Sequence, residues 1–185
     1  MKLRIISGLL KGRFISVPDT KDFRPTLERT RESVAEIIKS RLPGAQVADI
    51  CAGSGAMGFE LLSRGALRVD FIEKDRTRAD LIKKNAHQLG VADSCRIISR
   101  DVRSFLKNVS EAYDIIYYDP PYDSEELKSI GALLDKLTEN GILLYEYRKA
   151  RKKEKDLDIA PKELLFDSRT FGDTVVDFYC KSTVS

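Results

Sequence analysis

The run Asp119-Pro120-Pro121-Tyr122 follows directly on the apolar stretch Tyr113-Asp114-Ile115-Ile116-Tyr117-Tyr118. Two successive prolines cannot extend a strand, because neither carries an N–H and both fix φ. The strand therefore stops there, leaving a carboxylate, a rigid turn of backbone carbonyls and an aromatic ring at one point. A flat ring bearing an amino group can be held in such a corner, hydrogen-bonded at its edge and stacked on its face. An exocyclic base amine is a poor nucleophile, since its lone pair is delocalised into the ring. Asp119 and the Pro120 carbonyl can accept its two N–H bonds and so favour the pyramidal nitrogen of a transition state. Asp119 or a solvent molecule can take the proton that is shed. Tyr122 is placed to stack on the base.

A second constellation lies upstream. Asp49-Ile50-Cys51-Ala52-Gly53-Ser54-Gly55-Ala56-Met57-Gly58 contains the spacing G-x-G-x-x-G between an expected strand and an expected helix. Glycines let the main chain bend sharply and let a ligand lie directly on it. Glu73 ends the next strand about 20 residues further on, where a carboxylate can accept bonds from ribose hydroxyls. This pattern suits a dinucleotide, whose pyrophosphate would sit on the helix N-terminus, and equally S-adenosylmethionine, whose α-amino group seeks a carboxylate. Asp49 precedes the glycines, and Asp101 follows the third strand, within reach of an adenine amino group. Three acids at the ends of successive strands suit a cationic, amine-rich cofactor better than an anionic one.

The elements that position these residues alternate. Gln46–Cys51, Arg68–Glu73, Cys95–Ser99, Tyr113–Tyr118 and Ile142–Tyr147 read as strands. Between them Ala56–Arg64, Arg76–Leu89, Val102–Lys107 and a segment from Ser124 to about Leu137 read as helices, with a turn at Asn140-Gly141. Strand–helix alternation implies a parallel sheet covered on both sides. Leu164–Arg169 and Thr174–Lys181 are strands joined by so short a link that they must be antiparallel. Ahead of all this, Arg4–Gly8 and Gly12–Val17 read as a strand pair, and Thr26 opens a helix carrying Val34, Ile37 and Ile38 on one face. We divide the chain into an N-terminal extension, residues 1–44, and a catalytic unit, residues 45–185.

Composition narrows the class. The 185 residues are 42% apolar and 33% charged, with no apolar run long enough to cross a bilayer. The opening Met1-Lys2-Leu3-Arg4 lacks the apolar core of a signal peptide. Cys51, Cys95 and Cys180 lie far apart, which suits reduced thiols in a cytoplasm and argues against a disulfide frame or a metal site. We read Cys51 as a small core residue and Tyr145-Glu146-Tyr147 as strand packing, and we give the single histidine, His87, no catalytic role. Residues 1–41 hold ten Lys/Arg against five Asp/Glu, whereas the remainder is slightly acidic. A basic lead segment suggests a polyanion-facing edge. Its candidates for phosphate contact are Arg4, Lys11, Arg13, Arg24, Arg29 and Arg31. The basic run Arg148–Lys153 reads as a solvated loop.

Taken together, Asp49–Gly58, Glu73, Asp101 and Asp119–Tyr122 resemble the class I S-adenosylmethionine-dependent methyltransferases. Arg4-Ile5-Ile6-Ser7-Gly8, Lys11-Gly12-Arg13, Arg24-Pro25-Thr26, Arg29-x-Arg31-Glu32, Ser63-Arg64-Gly65-Ala66 and Glu73-Lys74-Asp75 look like the bacterial 16S ribosomal RNA guanine-N2 methyltransferase family (RsmD-type). The resemblance implies a Rossmann-like seven-stranded, mostly parallel sheet with an antiparallel last strand, helices on both faces and an RNA-contacting N-terminal extension. It implies cofactor contacts at Asp49, Ala52, Gly53, Ser54, Gly55, Glu73, Lys74, Asp101 and Val102, with Asp119, Pro120, Pro121 and Tyr122 at the reacting centre and no metal. The implied partner is 16S rRNA in the small subunit or its assembly intermediate, met by a monomer. A DNA adenine-N6 methyltransferase, a protein glutamine methyltransferase, a nicotinamide-dependent oxidoreductase and a non-catalytic RNA-binding assembly factor are the competing readings.

Overall fold

In the computed structural model of the chain, the structure describes residues 1–18, 26–121, 130–149 and 162–181. Tyr122, Arg24 and most of the basic run after Lys149 lie outside them, as does the start of the helix expected from Ser124. The chain order is β1 (Lys2–Arg4), β2 (Phe14–Ser16), α1 (Thr26–Ile37), β3 (Gln46–Ile50), α2 (Ala56–Ser63), β4 (Arg68–Ile72) and α3 (Arg76–Leu89). It continues with β5 (Cys95–Ile98), α4 (Val102–Asn108), β6 (Tyr113–Tyr118), α5 (Gly131–Leu134), β7 (Leu137–Arg148), β8 (Leu165–Phe171) and β9 (Thr174–Cys180).

Seven strands form one sheet in the order β5-β4-β3-β6-β7-β9-β8. The first five are parallel. The final strand, β9, runs antiparallel to both of its neighbours and lies between β7 and the edge strand β8. Central strands are apolar on both sides because each face carries its own core. On one face Val47, Ile115, Tyr117 and Leu144 pack with α1, α2, α3 and the N-terminal segment. On the other Ala48, Ile116, Tyr118 and Tyr145 pack with α4 and α5. Strand alternation thus sends Asp49, two residues after Val47, to the first face.

Three expected boundaries move. The N-terminal strands are only three residues each, since Ser7–Gly12 form the turn between them. That turn is pinned to α2: Leu9 N–H donates to the Ser63 carbonyl at 2.7 Å, and a Cβ on Gly8 would lie 1.8 Å from the same oxygen. The helix expected to reach Leu137 ends at Leu134, and Leu137 already pairs with Tyr113. The expected turn at Asn140-Gly141 is instead an irregularity inside β7, where the register jumps from Tyr113–Leu137 to Ile115–Ile142. Gly141 is needed there, because a Cβ would come within 2.8 Å of the Tyr113 carbonyl.

Candidate active site

The carboxyl ends of the parallel strands form a rim, and each strand brings one acid to it. In sheet order they are Asp101 after β5, Glu73 after β4, Asp49 in β3, Asp119 after β6 and Glu146 in β7. Asp49, Asp119 and Glu146 line one open cleft with Gly53, Tyr117 and Arg31. Register accounts for the convergence. Asp49 pairs with Tyr117, and Tyr117 pairs with Leu144. Asp119 and Glu146 each stand two residues further along the same face.

The glycine turn is held from both sides. Cys51 has φ +62°, Gly53 φ +56° and Gly55 φ +74°, so the chain reverses over a few residues and Gly55 becomes the N-cap of α2. Glu73, 4% exposed, accepts Gly53 N–H at 2.8 Å and Asp75 N–H at 2.9 Å, which fixes the loop and the start of α3 together. Asp49 accepts Gly58 N–H at 2.9 Å. Gly58 has no room for a side chain, since a Cβ would meet the Phe71 ring at 2.3 Å. The third glycine therefore serves helix–strand contact, while a Cβ on Gly53 would meet only the Cys51 carbonyl, at 3.9 Å. Ala52, Gly53 and Ser54 face the cleft, and Gly55 is buried beneath them.

Burial and mutual repulsion dominate the electrostatics. The Asp49 carboxyl is pushed up to about 7 by burial and by Glu73, against the opposing pull of Gly58 N–H. Asp119 is raised well above the ordinary carboxylate range by loss of water, then by Glu146 and Asp49. Glu146, 2% exposed, is raised by burial, and the hydroxyl that Tyr117 donates to its Oε2 acts the other way. Adjacent carboxyls in such a place release their protons at higher pH than isolated ones do.

Several expected site residues do not line that cleft. Asp101 is exposed, and its Oδ1 caps α4 by accepting Ser104 N–H at 2.9 Å. The Val102 side chain is buried in the second core, and Lys74 is exposed. Cys51, taken from sequence as a core residue, is half-buried and lines the cleft. Pro120 is buried and Pro121 exposed. Among the basic candidates Arg4, Lys11 and Arg29 are exposed. Arg13, exposed as well, also donates to the Leu89 and Gln88 carbonyls, both at 2.6 Å, closing the C-terminus of α3. Arg31 is 4% exposed, donates to the Arg4 carbonyl at 3.0 Å and stands 3.8 Å from Glu60. It faces the cleft, where an open RNA surface had been expected.

Two buried acids escaped the sequence. Glu146 was absorbed into strand packing, although a carboxylate inside an otherwise apolar central strand was a usable signal. Glu60, fully buried in α2, accepts Ile6 N–H at 2.8 Å and Ser7 N–H at 3.1 Å and so ties the N-terminal segment to α2.

A five-stranded parallel core with an inserted antiparallel strand, a glycine turn after β3 and an acid at each strand end defines a Rossmann-like class I methyltransferase fold. Residues 3–180 match the family described as Conserved hypothetical protein 95, and the chain belongs to that family, that of the RsmD-type proteins. Over 145 residues it is 36% identical to Ribosomal RNA small subunit methyltransferase D of Escherichia coli strain K12, covering 78% of this chain and 71% of that protein. Among solved structures it resembles the putative methyltransferase yhhF of Escherichia coli, with 29% identity, a TM-score of 0.84 and 97% of each chain covered. A Thermus thermophilus 16S rRNA N2 methyltransferase (RsmC), solved with AdoMet and guanosine, shares the fold at 21% identity and a TM-score of 0.76, over 98% of this chain and 50% of that one.

Proposed function

We propose that this chain transfers a methyl group from S-adenosylmethionine to the exocyclic N2 of a guanine in 16S ribosomal RNA, in the small subunit or a particle on its assembly path. The observation that carries the proposal is the meeting in one cleft of the glycine turn with Asp49 and of Asp119, the residue that leads into the double proline. Names borne by relatives in the family point to small-subunit rRNA.

The cleft suits the donor. Its acids favour a sulfonium and an ammonium over a pyrophosphate. Asp49 is the partner for the α-amino group, Gly53 offers backbone without a side chain, and Glu73 and Asp101 are candidates for ribose and adenine. When bound, S-adenosylmethionine supplies an electrophilic methyl that leaves its sulfur as the nitrogen lone pair arrives. The protein does the rest by alignment. Asp119 and the Pro120 carbonyl accept the two N–H bonds of the base amine and direct its lone pair along the S–CH3 axis. The proton shed from nitrogen as it takes the methyl would pass to Asp119 or to water. A carboxyl raised well above the ordinary carboxylate range is a competent acceptor for it. Tyr122 stacks on the extruded base, a contact worth about 1–3 kcal/mol. Arg4, Lys11, Arg24 and Arg29 steer the RNA backbone.

The test is incubation of small subunits from cells lacking this gene with tritiated donor, followed by nucleoside mapping. Label in N2-methylguanosine is expected from the parent and none from Asp119→Ala, whose donor binding is retained. Label in N6-methyladenosine, or undiminished turnover in the variant, would contradict the proposal.

A further inference from the structure

Glu146 has one oxygen engaged and one idle. Tyr117 donates its hydroxyl to Oε2. Oε1 is buried and has no hydrogen-bond partner among the described residues. The side chain is 2% exposed, yet it lines the cleft beside Asp119. A buried, unsatisfied carboxylate oxygen is unfavourable unless a ligand donor completes it. Here the Tyr117 bond fixes the carboxyl so that the idle oxygen remains beside the corner where the base is to sit.

We propose that Glu146 selects guanine by accepting its N1–H at Oε1, while Asp119 takes the adjacent amine. The assignment rests on the guanine reading above and deepens it. Guanine presents two neighbouring donors, N1–H and N2–H2, along one edge. Two carboxyls carried one residue beyond the Tyr118–Tyr145 pair on adjacent parallel strands present two neighbouring acceptors. Adenine places an unprotonated N1 there, and cytosine an unprotonated N3. Either would set lone pair against lone pair and leave Oε1 unpaired. A site built around a donor rejects analogues that lack it far more strongly than an apolar pocket rejects a change of shape.

The probe is nucleoside binding to the full chain saturated with S-adenosylhomocysteine, followed by NMR or calorimetry. Guanosine is compared with 2-aminopurine riboside, which keeps the 2-amino group but has no N1–H. The parent is expected to prefer guanosine by on the order of 10–100-fold in Kd. Glu146→Gln, whose amide can turn its NH2 towards an unprotonated N1, should bring that preference to within about threefold with S-adenosylhomocysteine affinity unchanged. A merely structural role would weaken both nucleosides alike and leave their ratio intact, which overturns the assignment. So does loss of S-adenosylhomocysteine affinity with an intact ratio, which would place Glu146 on the donor's amine. Should the variant not fold, the parent decides, because equal affinity for the two nucleosides contradicts the assignment by itself. If the parent labels N2-methylguanosine in the mapping experiment while Glu146→Gln keeps its preference, the guanine reading stands and this assignment falls. If the label lies in another nucleoside, both fall.

Discussion

Asp49→Asn separates what Asp49 does for the fold from what it does for the donor. The side chain is 2% exposed and accepts Gly58 N–H through Oδ2. An amide oxygen can accept the same bond, so the substitution removes charge with little change of shape. The carboxyl is raised from its ordinary 3.8 to about 7, chiefly by burial and then by Glu73. For an acid raised in the folded state, the native protein binds the proton more tightly than the unfolded chain does. The penalty for ionisation is therefore absent below about pH 4, grows as pH rises and is complete above about pH 7. At about 1.4 kcal/mol per unit, that penalty approaches an upper bound of about 4 kcal/mol at pH 8 and about 1.6 kcal/mol at pH 5. Urea unfolding of parent and variant at the two pH values measures the difference. Burying the new amide shifts the variant by a constant amount at both, so the quantity to read is the change between them. The variant should gain about 2–3 kcal/mol relative to the parent from pH 5 to pH 8. The same substitution removes the anionic partner of the donor's ammonium, and affinity for S-adenosylmethionine should fall roughly 10–100-fold, as for a lost charge-assisted bond. A stability difference that ignores pH would refute the electrostatic argument. Undiminished donor affinity would refute the placement of the amine.

Three further outcomes are expected. Methyl transfer by the parent should rise with pH along a limb well above the ordinary carboxylate range, since the ionised Asp119 is the stronger acceptor for the amine N–H; Glu146→Gln removes a negative neighbour and should move that limb to lower pH, and a limb that stays put would exclude Glu146 as its cause. Gly58→Ala should lose about 1–3 kcal/mol in a denaturation experiment, because the new methyl would meet the Phe71 ring and the Asp49 carboxyl at 2.9 Å or less; an unchanged midpoint would show that α2 yields easily. Lys11→Ala or Arg29→Ala should reduce the slope of log K against log salt for RNA by about one, whereas Arg13→Ala should leave the slope alone and lower the melting temperature through loss of its two bonds to the end of α3. An Arg13→Ala slope that falls with the others would return that side chain to the RNA face.

What the sequence disclosed followed from local rules. The bounds of α3 and β6 coincide with those expected, because Asp75 and Gly90 cap the helix and Pro120 stops the strand. The position of Asp49, Glu73 and Asp119 at strand ends was legible because the glycine turn and the double proline fix where those strands stop. The rest depended on contacts between distant segments. Nothing in the spacing of α2 says that Glu60 receives the backbone of Ile6 and Ser7. A charge count cannot distinguish an arginine whose guanidinium is bonded to a helix end, as that of Arg13 is, from one without such bonds. Asn140-Gly141 carries a turn signal, yet the pairing of β7 with β6 on both sides of it makes an irregular strand more favourable than a reversal. Glu146 was hidden because a run of apolar residues in a central strand has no alternation from which to tell its faces apart.

The most direct measurement is a crystal structure of the full chain with S-adenosylmethionine. The account predicts the ammonium against Asp49 and the transferable methyl directed at the space between Asp119, the Pro120 carbonyl and Glu146. A methyl turned towards the N-terminal extension, or a donor bound away from the glycine turn, would contradict it.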